Sequence, residues 1–302
     1  MSRLLELLDL LPAGSNRWLA STPQPGDGPP RLFGGQVAAQ SLRAATLTVP
    51  ADRLVHSFHA YFIRPGRPGV PLQLDVERAR DGRSFTTRRV NASQEGESIF
   101  VLDASFQVEE DGDDWQPDDS MASVPGPDDI PAPESPFGSF SSMSPFEMRP
   151  VNGPNPMGFT MNPYWVRTKD RLPDDDAIHA CAIAFISDMG ILSAARPPGS
   201  TAGFGGASLD HAVWFHVPVR ADEWLLSDAN PMRAAGARGM AHGTMHTAQG
   251  VLAVTIVQEG LLRPTMKMPP EFEERMRAMR TSTELADSSR DAAAATDDGG
   301  SA

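Results

Sequence analysis

A chain of 302 residues with 40% hydrophobic side chains is long enough for one large domain or two ordinary ones around a buried core. Its net charge of −13 leaves no basic footprint for nucleic acid, and its single cysteine, Cys181, excludes an internal disulfide and a multi-cysteine metal site. A cytoplasmic address fits that cysteine usage, and the apolar runs read as shorter than the roughly 18–20 residues of a membrane span, so no stable membrane insertion is expected. The acid is concentrated between Glu109 and Ser135, which holds no Lys or Arg, and again after Thr281. The remainder is near neutral and rich in Arg, compatible with a phosphorylated ligand.

In chain order, "MSRLLELLDLLPAG" has the look of a signal peptide, but Glu6 and Asp9 interrupt it and no small-residue cleavage site follows. It is predicted to be an amphipathic surface helix, and the final "GGSA" matches neither a peroxisomal nor an ER-retention signal. "LFGGQVAAQSLRAATLTV" predicts an Ala-rich helix opened by paired glycines. Strand-like runs follow: "LVHSFHAYFI", "LQLDVERA", "SFTTRRVNAS" and "SIFVLDASFQ", divided by "RPGRPG", "DGR" and "QEGE". Residues 109–145 predict an acidic, Pro-rich linker with little regular structure. "DAIHACAIAFISDMGIL" predicts a second helix, apolar almost all round, before the strands "DHAVWFHVPV", "EWLLSDA", "ARGMAHGTMHT" and "VLAVTIVQ". Beyond Met268 a short charged helix, "PEFEERMRAMR", is expected to give way to a disordered tail.

A helix apolar on every face must be enclosed, and a sheet curling round it is one way to do so. "HAYFIRP" and "HAVWFHVP" read as corresponding first strands differing by one residue in length, and each half ends on a glutamine, Gln107 and Gln258. The pattern predicts an α+β protein built by duplication, with a repeat of roughly 150 residues, far beyond solenoid periods. The expected organisation is an N-terminal repeat over 1–108, the linker over 109–145, a C-terminal repeat over 146–266 and a tail over 267–302.

Motif absences narrow the chemistry. There is no G-x-S-x-G, H-E-x-x-H or P-loop, and "GFGGAS" at 203–208 fails G-x-G-x-x-G, so neither a dinucleotide cofactor nor a metal is indicated. Three polar residues of the second half stand out. Asp188 is placed mid-helix in an apolar run, Ser208 just before or at the start of a strand, and Gln258 on the same strand parity as Leu252, Val254 and Ile256, facing the core. Together a carboxylate, a hydroxyl and a carboxamide can hold and deprotonate a water. Spacing alone leaves the alternative open, an acid bonded to backbone and a structural amide. His59 and His211 occupy similar places in the two halves, as substrate contacts or as structural imidazoles. Cys181 reads as a small buried thiol.

The blocks "RLFGGQVAAQSL", "HSFHAYFIRPG", "DVERARDGRSFTTRRV", "ASFQ", "AFISDMGIL", "SLDHAVWFH" and "VTIVQEGLLR" occur in this order over roughly residues 4–264. In this the chain resembles the type II acyl-CoA thioesterases, double-hotdog proteins of lipid metabolism that hydrolyse fatty acyl-CoA. The resemblance implies a double-hotdog α+β fold, an acyl-CoA substrate, no cofactor and a homo-oligomer. It also implies a water-binding triad of Asp188, Ser208 and Gln258, with Ser where many bacterial members have Thr. From helix placement, the start of the first-half helix, Gly34, Gly35 and Gln36, is the candidate oxyanion donor or simply a tight helix entry, and Arg64, Arg67, Arg83, Arg88 and Arg89 are candidate coenzyme A contacts or solvent-facing strand charges. The acidic linker and "SDANPMRAAG" depart from the family pattern, which bears on acyl-chain preference and oligomer contacts. Two other functions stay open: a non-catalytic acyl-CoA binding or sensing protein, and a hotdog hydratase acting on enoyl-CoA.

Overall fold

The computed structural model describes residues 2–23, 31–117, 124–131, 144–152, 162–196 and 206–263. The expected "PEFEERMRAMR" helix and the tail lie outside the described residues. The first half runs α1 (Arg3–Leu8), β1 (Leu11–Gly14), β2 (Arg17–Ala20), α2 (Gly34–Thr46), β3 (Arg53–Phe62), β4 (Leu72–Asp81), β5 (Phe85–Gln94) and β6 (Glu97–Val108). The second runs β7 (Phe146–Pro150), β8 (Tyr164–Thr168), α3 (Asp176–Ser187), α4 (Ile191–Ala194), β9 (Gly206–Ser208), β10 (Asp210–Phe215), β11 (Leu225–Ala235), β12 (Arg238–Thr247) and β13 (Leu252–Leu262).

Among the described residues all strands join one sheet, in the order β1-β2-β4-β5-β6-β3-β10-β13-β12-β11-β8-β7, with β9 paired to β13. Read from either edge to the middle the sequence of strands is the same, so the duplication is visible in the topology. The two halves meet where β3 and β10 pair antiparallel, Ala60 opposite His211 and His59 opposite Ala212. One sheet thus carries two enclosed helices, which is the double-hotdog arrangement the resemblance implies. Alternation delivers the core side chains: in β5 Thr86, Arg88, Val90 and Ala92 turn inward, and in β13 Val254, Ile256 and Gln258 do.

α2 is almost wholly enclosed because its inward residues are small: Ala38, Ala39, Ala44 and Ala45 are fully or nearly fully buried beside Val37 and Leu42. α3 is enclosed by Ile178, Ala182, Ile183, Ala184 and Ile186, and Asp175 caps its start by accepting from Ala177 N at 2.9 Å. From Asp176 to Ala194 the chain is, over 19 residues, long and apolar enough to cross a membrane by length and composition. That is more than the sequence runs suggested. Gly190, at φ +82, breaks the stretch into α3 and α4, and α3 packs inside the sheet as a core helix.

The opening segment is the amphipathic helix expected, with Arg3 and Glu6 exposed and Leu4 and Leu8 buried in the core against α2. Other features differ from expectation. The hairpins β1–β2 and β7–β8, which extend the sheet at both edges, were not anticipated. The linker is only partly solvated. Gln116 donates to Gly250 O at 2.9 Å and accepts from Leu252 N at 2.8 Å, and Ile130 packs with Trp165 and Leu226.

The left-handed turn at Gly190 leaves nothing closer than 3.9 Å to an added Cβ, so its constraint is conformational and not steric. Gly190→Ala is therefore expected to lower stability by about 1–2 kcal/mol, read from the urea midpoint at unchanged m-value.

Candidate active site

The site begins with two helix ends. α2 starts beside the end of α3, so close that a Cβ on Gly35 would lie 2.3 Å from the Phe185 carbonyl oxygen. A Cβ on Gly34 would lie 2.7 Å from an Asp188 carboxylate oxygen and 2.6 Å from the Phe62 ring. Only glycine allows this approach at both positions. The positive end of one helix then faces the negative end of the other, and a carboxylate placed between them is favoured by the first.

Asp188 is that carboxylate. It is the C-cap residue of α3 (φ −87, ψ −5), not a mid-helix residue as the apolar run suggested, because the turn that ends at Gly190 begins with it. The Tyr164 hydroxyl donates to Met189 O at 2.6 Å and fixes the turn from β8. One carboxylate oxygen, Oδ2, accepts from Gly35 N at 2.8 Å. The other, Oδ1, lies 3.4 Å from Ser208 Oγ, the donor. Ser208 in turn accepts from Gln258 Nε2 at 2.7 Å. Ser208 is the last residue of β9, and Gln258 is fully buried on β13. The structure therefore brings Asp188, Ser208, Gln258 and Gly35 to one place.

Burial is the dominant influence on Asp188, which is 9% exposed. It pushes the carboxyl from 3.8 up to about 6, against the opposing donors Gln258, Gly35 and Ser208. The geometry supplies a base poised near neutrality with two hydrogen-bonding groups beside it.

The other sequence candidates fall out differently. Gly35 donates to Asp188, Gln36 N bonds to Phe33 O at 3.2 Å, and Gln36 is buried with its side chain against Gln40. Arg88 is wrongly placed by the sequence reading as a coenzyme A contact. It is fully buried, its guanidinium bonded to Thr48 Oγ1, Thr48 O, Arg80 O, Thr87 O and Asp81, so it ties the end of α2 to the β4–β5 ribbon. Arg89 is paired with Asp103, Arg67 with Glu95 and Arg64 with Glu97. Arg83 is exposed. His59 is exposed and set edge-on to Trp214, whereas His211 is fully buried, with Nε2 2.7 Å from Ser187 Oγ. Cys181 is fully buried, and burial pushes its thiol up to about 12, away from nucleophile chemistry. Among the described residues no group of three His, Cys, Asp or Glu is placed to hold a metal ion. Sequence reasoning did not single out Tyr164 or Ser187, since neither lies in a strongly patterned motif.

Comparison with known proteins bears on this arrangement. Residues 22–107 match the acyl-CoA thioesterase N-terminal domain, and residues 118–262 match the acyl-CoA thioesterase C-terminal domain. The chain is 39% identical over 259 residues to acyl-coenzyme A thioesterase 8 of Mus musculus, covering 77% of this chain and 80% of that protein. It is 36% identical over 253 residues to acyl-CoA thioesterase 2 of Haemophilus influenzae, covering 77% and 88% respectively. Among solved structures, an acyl-CoA thioesterase II from Mycobacterium marinum is 40% identical, with a TM-score of 0.73, over 86% of this chain and 98% of the other.

The raised Asp188 pKa makes a stability prediction that is independent of activity. A carboxyl whose folded pKa exceeds its unfolded value binds more protons folded than unfolded between the two. Its burial is therefore least costly below 3.8 and most costly above about 6. Relative to Asp188→Asn, the wild type is expected to lose about 2–3 kcal/mol of stability between pH 4 and pH 7, measured by denaturant melts of both proteins at each pH.

Proposed function

The chain belongs to the acyl-CoA thioesterase family, and on that premise we propose that it hydrolyses fatty acyl-CoA thioesters to a free fatty acid and coenzyme A, with Asp188 as the general base. The observation that carries the reading is the meeting of Asp188, Ser208 and Gln258 at a buried point beside the start of α2. Ser208 Oγ stands 3.4 Å from the carboxylate, long for a hydroxyl-to-carboxylate bond, and its second lone pair is placed beside the base to accept from a water.

In the proposed step Asp188 takes a proton from that water as its oxygen bonds to the thioester carbonyl carbon. Ser208 and Gln258 hold the water in line. The negative charge moves onto the carbonyl oxygen, where the N-terminal turn of α2 at Gly34, Gly35 and Gln36 supplies the positive end of a helix dipole. The carbon–sulfur bond then breaks, the electron pair leaves on the coenzyme A sulfur, and the thiolate takes up a proton. A thiolate departs without strong acid assistance, consistent with a site that offers a base and no second titrating acid among these three residues. Of the five arginines, the exposed Arg83 and the exposed but ion-paired Arg64, Arg67 and Arg89 remain candidates for the phosphates of coenzyme A.

A positioned base and hydroxyl distinguish this reading from a non-catalytic acyl-CoA binder, which has no use for an activated water. The proposed localisation is cytoplasmic, from the single cysteine, and the proposed assembly a homo-oligomer, from the family resemblance.

Thiol release from a C4 to C18 panel of acyl-CoAs tests the function. The wild type is expected to liberate free coenzyme A, and Asp188→Asn to lose about 10²- to 10⁴-fold in kcat while retaining fold and substrate binding. Binding without release in the wild type would leave a binding protein. Turnover confined to enoyl-CoA, with no thiol released, would leave a hydratase. A second expectation follows from the carboxyl pKa of about 6: kcat/KM of the wild type rises with pH through that value and levels above it.

A further inference from the structure

Two buried polar atoms next to the site have no hydrogen-bond partner among the described residues: Gln258 Oε1 and His211 Nδ1. They are neighbours. β10 and β13 pair antiparallel as far as Ala212 opposite Val257, the residues that adjoin His211 and Gln258. His211 is fully buried under the Phe58 ring, 5.8 Å away between centroids, and only Gln258 acts to keep protons on its ring against burial.

The remaining hydrogens decide how the pair is connected. A serine hydroxyl has one hydrogen. Ser187 Oγ lies 3.0 Å from Ala184 O and 2.7 Å from His211 Nε2. If that hydrogen goes to the carbonyl, Nε2 must carry the ring proton, and the bare lone pair of Nδ1 faces the Gln258 carbonyl oxygen, acceptor against acceptor. If it goes along the shorter contact to Nε2, the ring proton sits on Nδ1 and is donated to Gln258 Oε1. Each orphan atom then faces a complementary one, a donor at Nδ1 and an acceptor at Gln258 Oε1. Turning the Gln258 amide over also partners Nδ1, but it puts Oε1 against Ser208. Two oxygens, Oε1 and the Asp188 carboxylate, would then compete for one serine hydrogen.

We propose that His211 is a positioning residue for the hydrolytic site: as the Nδ1–H tautomer it donates to Gln258 Oε1 and so holds the amide hydrogens toward Ser208 and Asp188. Donors then run in one direction, from Ser187 to His211, to Gln258, to Ser208 and to the carboxylate. The two ends of the chain are adjacent residues, Ser187 and Asp188, so the network closes on the last turn of α3. This role rests on the reading of Asp188, Ser208 and Gln258 as the water-holding group.

The test separates the tautomer from the function. In the full chain, ¹⁵N-edited NMR of the His211 ring is expected to show a neutral imidazole with its proton on Nδ1; a proton on Nε2 overturns the proposal, whatever the variants do. His211→Asn keeps an N–H donor where Nδ1 stood, whereas His211→Leu fills the space without one. Relative to the wild type, His211→Leu is expected to lose about 10- to 100-fold in kcat, with KM changed less than about twofold and the acid limb of the pH profile moved upward. His211→Asn is expected to recover most of that kcat. Equal loss in both variants, or a loss that only follows the folded fraction, overturns the positioning role. Failure of the reading of the water-holding group is distinguishable, because full thiol release by Asp188→Asn removes Asp188 from the mechanism while the NMR result still assigns the tautomer.

Discussion

The site depends on a single awkward arrangement, a carboxylate buried between the end of one central helix and the start of another. Nothing in a hydrophobic core favours Asp188 unless donors come to it, and three do: a backbone N–H from α2, a hydroxyl from β9 and an amide from β13. Each donor requires something of the sequence. The backbone donor requires glycine at positions 34 and 35, because any Cβ there collides with Phe185, Phe62 or Asp188 itself. The hydroxyl requires the short strand β9 to run alongside β13, with Ser208 opposite Gly260. The amide requires Gln258 to share strand parity with Val254 and Ile256. Satisfaction is incomplete, and the residual cost appears as a carboxyl whose pKa is raised, which is the property a base working at neutral pH needs.

Duplication made the sheet but did not duplicate the site. At the end of α3 the capping residue is Asp188, whereas at the end of α2 it is Leu47. The corresponding end of α2 is held instead by the fully buried Arg88 through the hydroxyl and carbonyl of Thr48. Gln258 is buried in β13, while Gln107 in β6 reaches only Glu110 near the surface, at 3.4 Å. One half therefore carries the polar cluster, and the other supplies the helix start that faces it. Neither half alone holds Gly35 and Asp188 together.

Much of this was legible from pattern. Two apolar helices, each followed by four strand-like runs, sufficed for the duplicated α+β architecture, and strand parity placed Gln258 in the core. The errors have identifiable physical sources. β1–β2 and β7–β8 are strands of four or five residues without clean alternation, and tertiary pairing at the sheet edges, not local propensity, makes them strands. Asp188 was read as mid-helical because apolarity continues through Met189 to Leu192, whereas the left-handed Gly190 ends the helix. His59 and His211 looked equivalent, yet a one-residue offset between the two motifs puts one on the outer face and the other inside. Arg88 looked like a surface strand cation because inward-facing arginine is rare, and only the carbonyls converging on it explain its burial.

The most direct test of the account is the titration of Asp188 itself. Infrared difference spectra of the carboxyl stretch, wild type minus Asp188→Asn, recorded across pH 3 to 8, isolate that one group. The account predicts a carboxyl that deprotonates with a midpoint near 6, displaced from the ordinary 3.8 by burial between the two helix ends. A midpoint at or below the ordinary value would contradict it, because Asp188 would then be a fully satisfied structural anion with no raised basicity to offer a water.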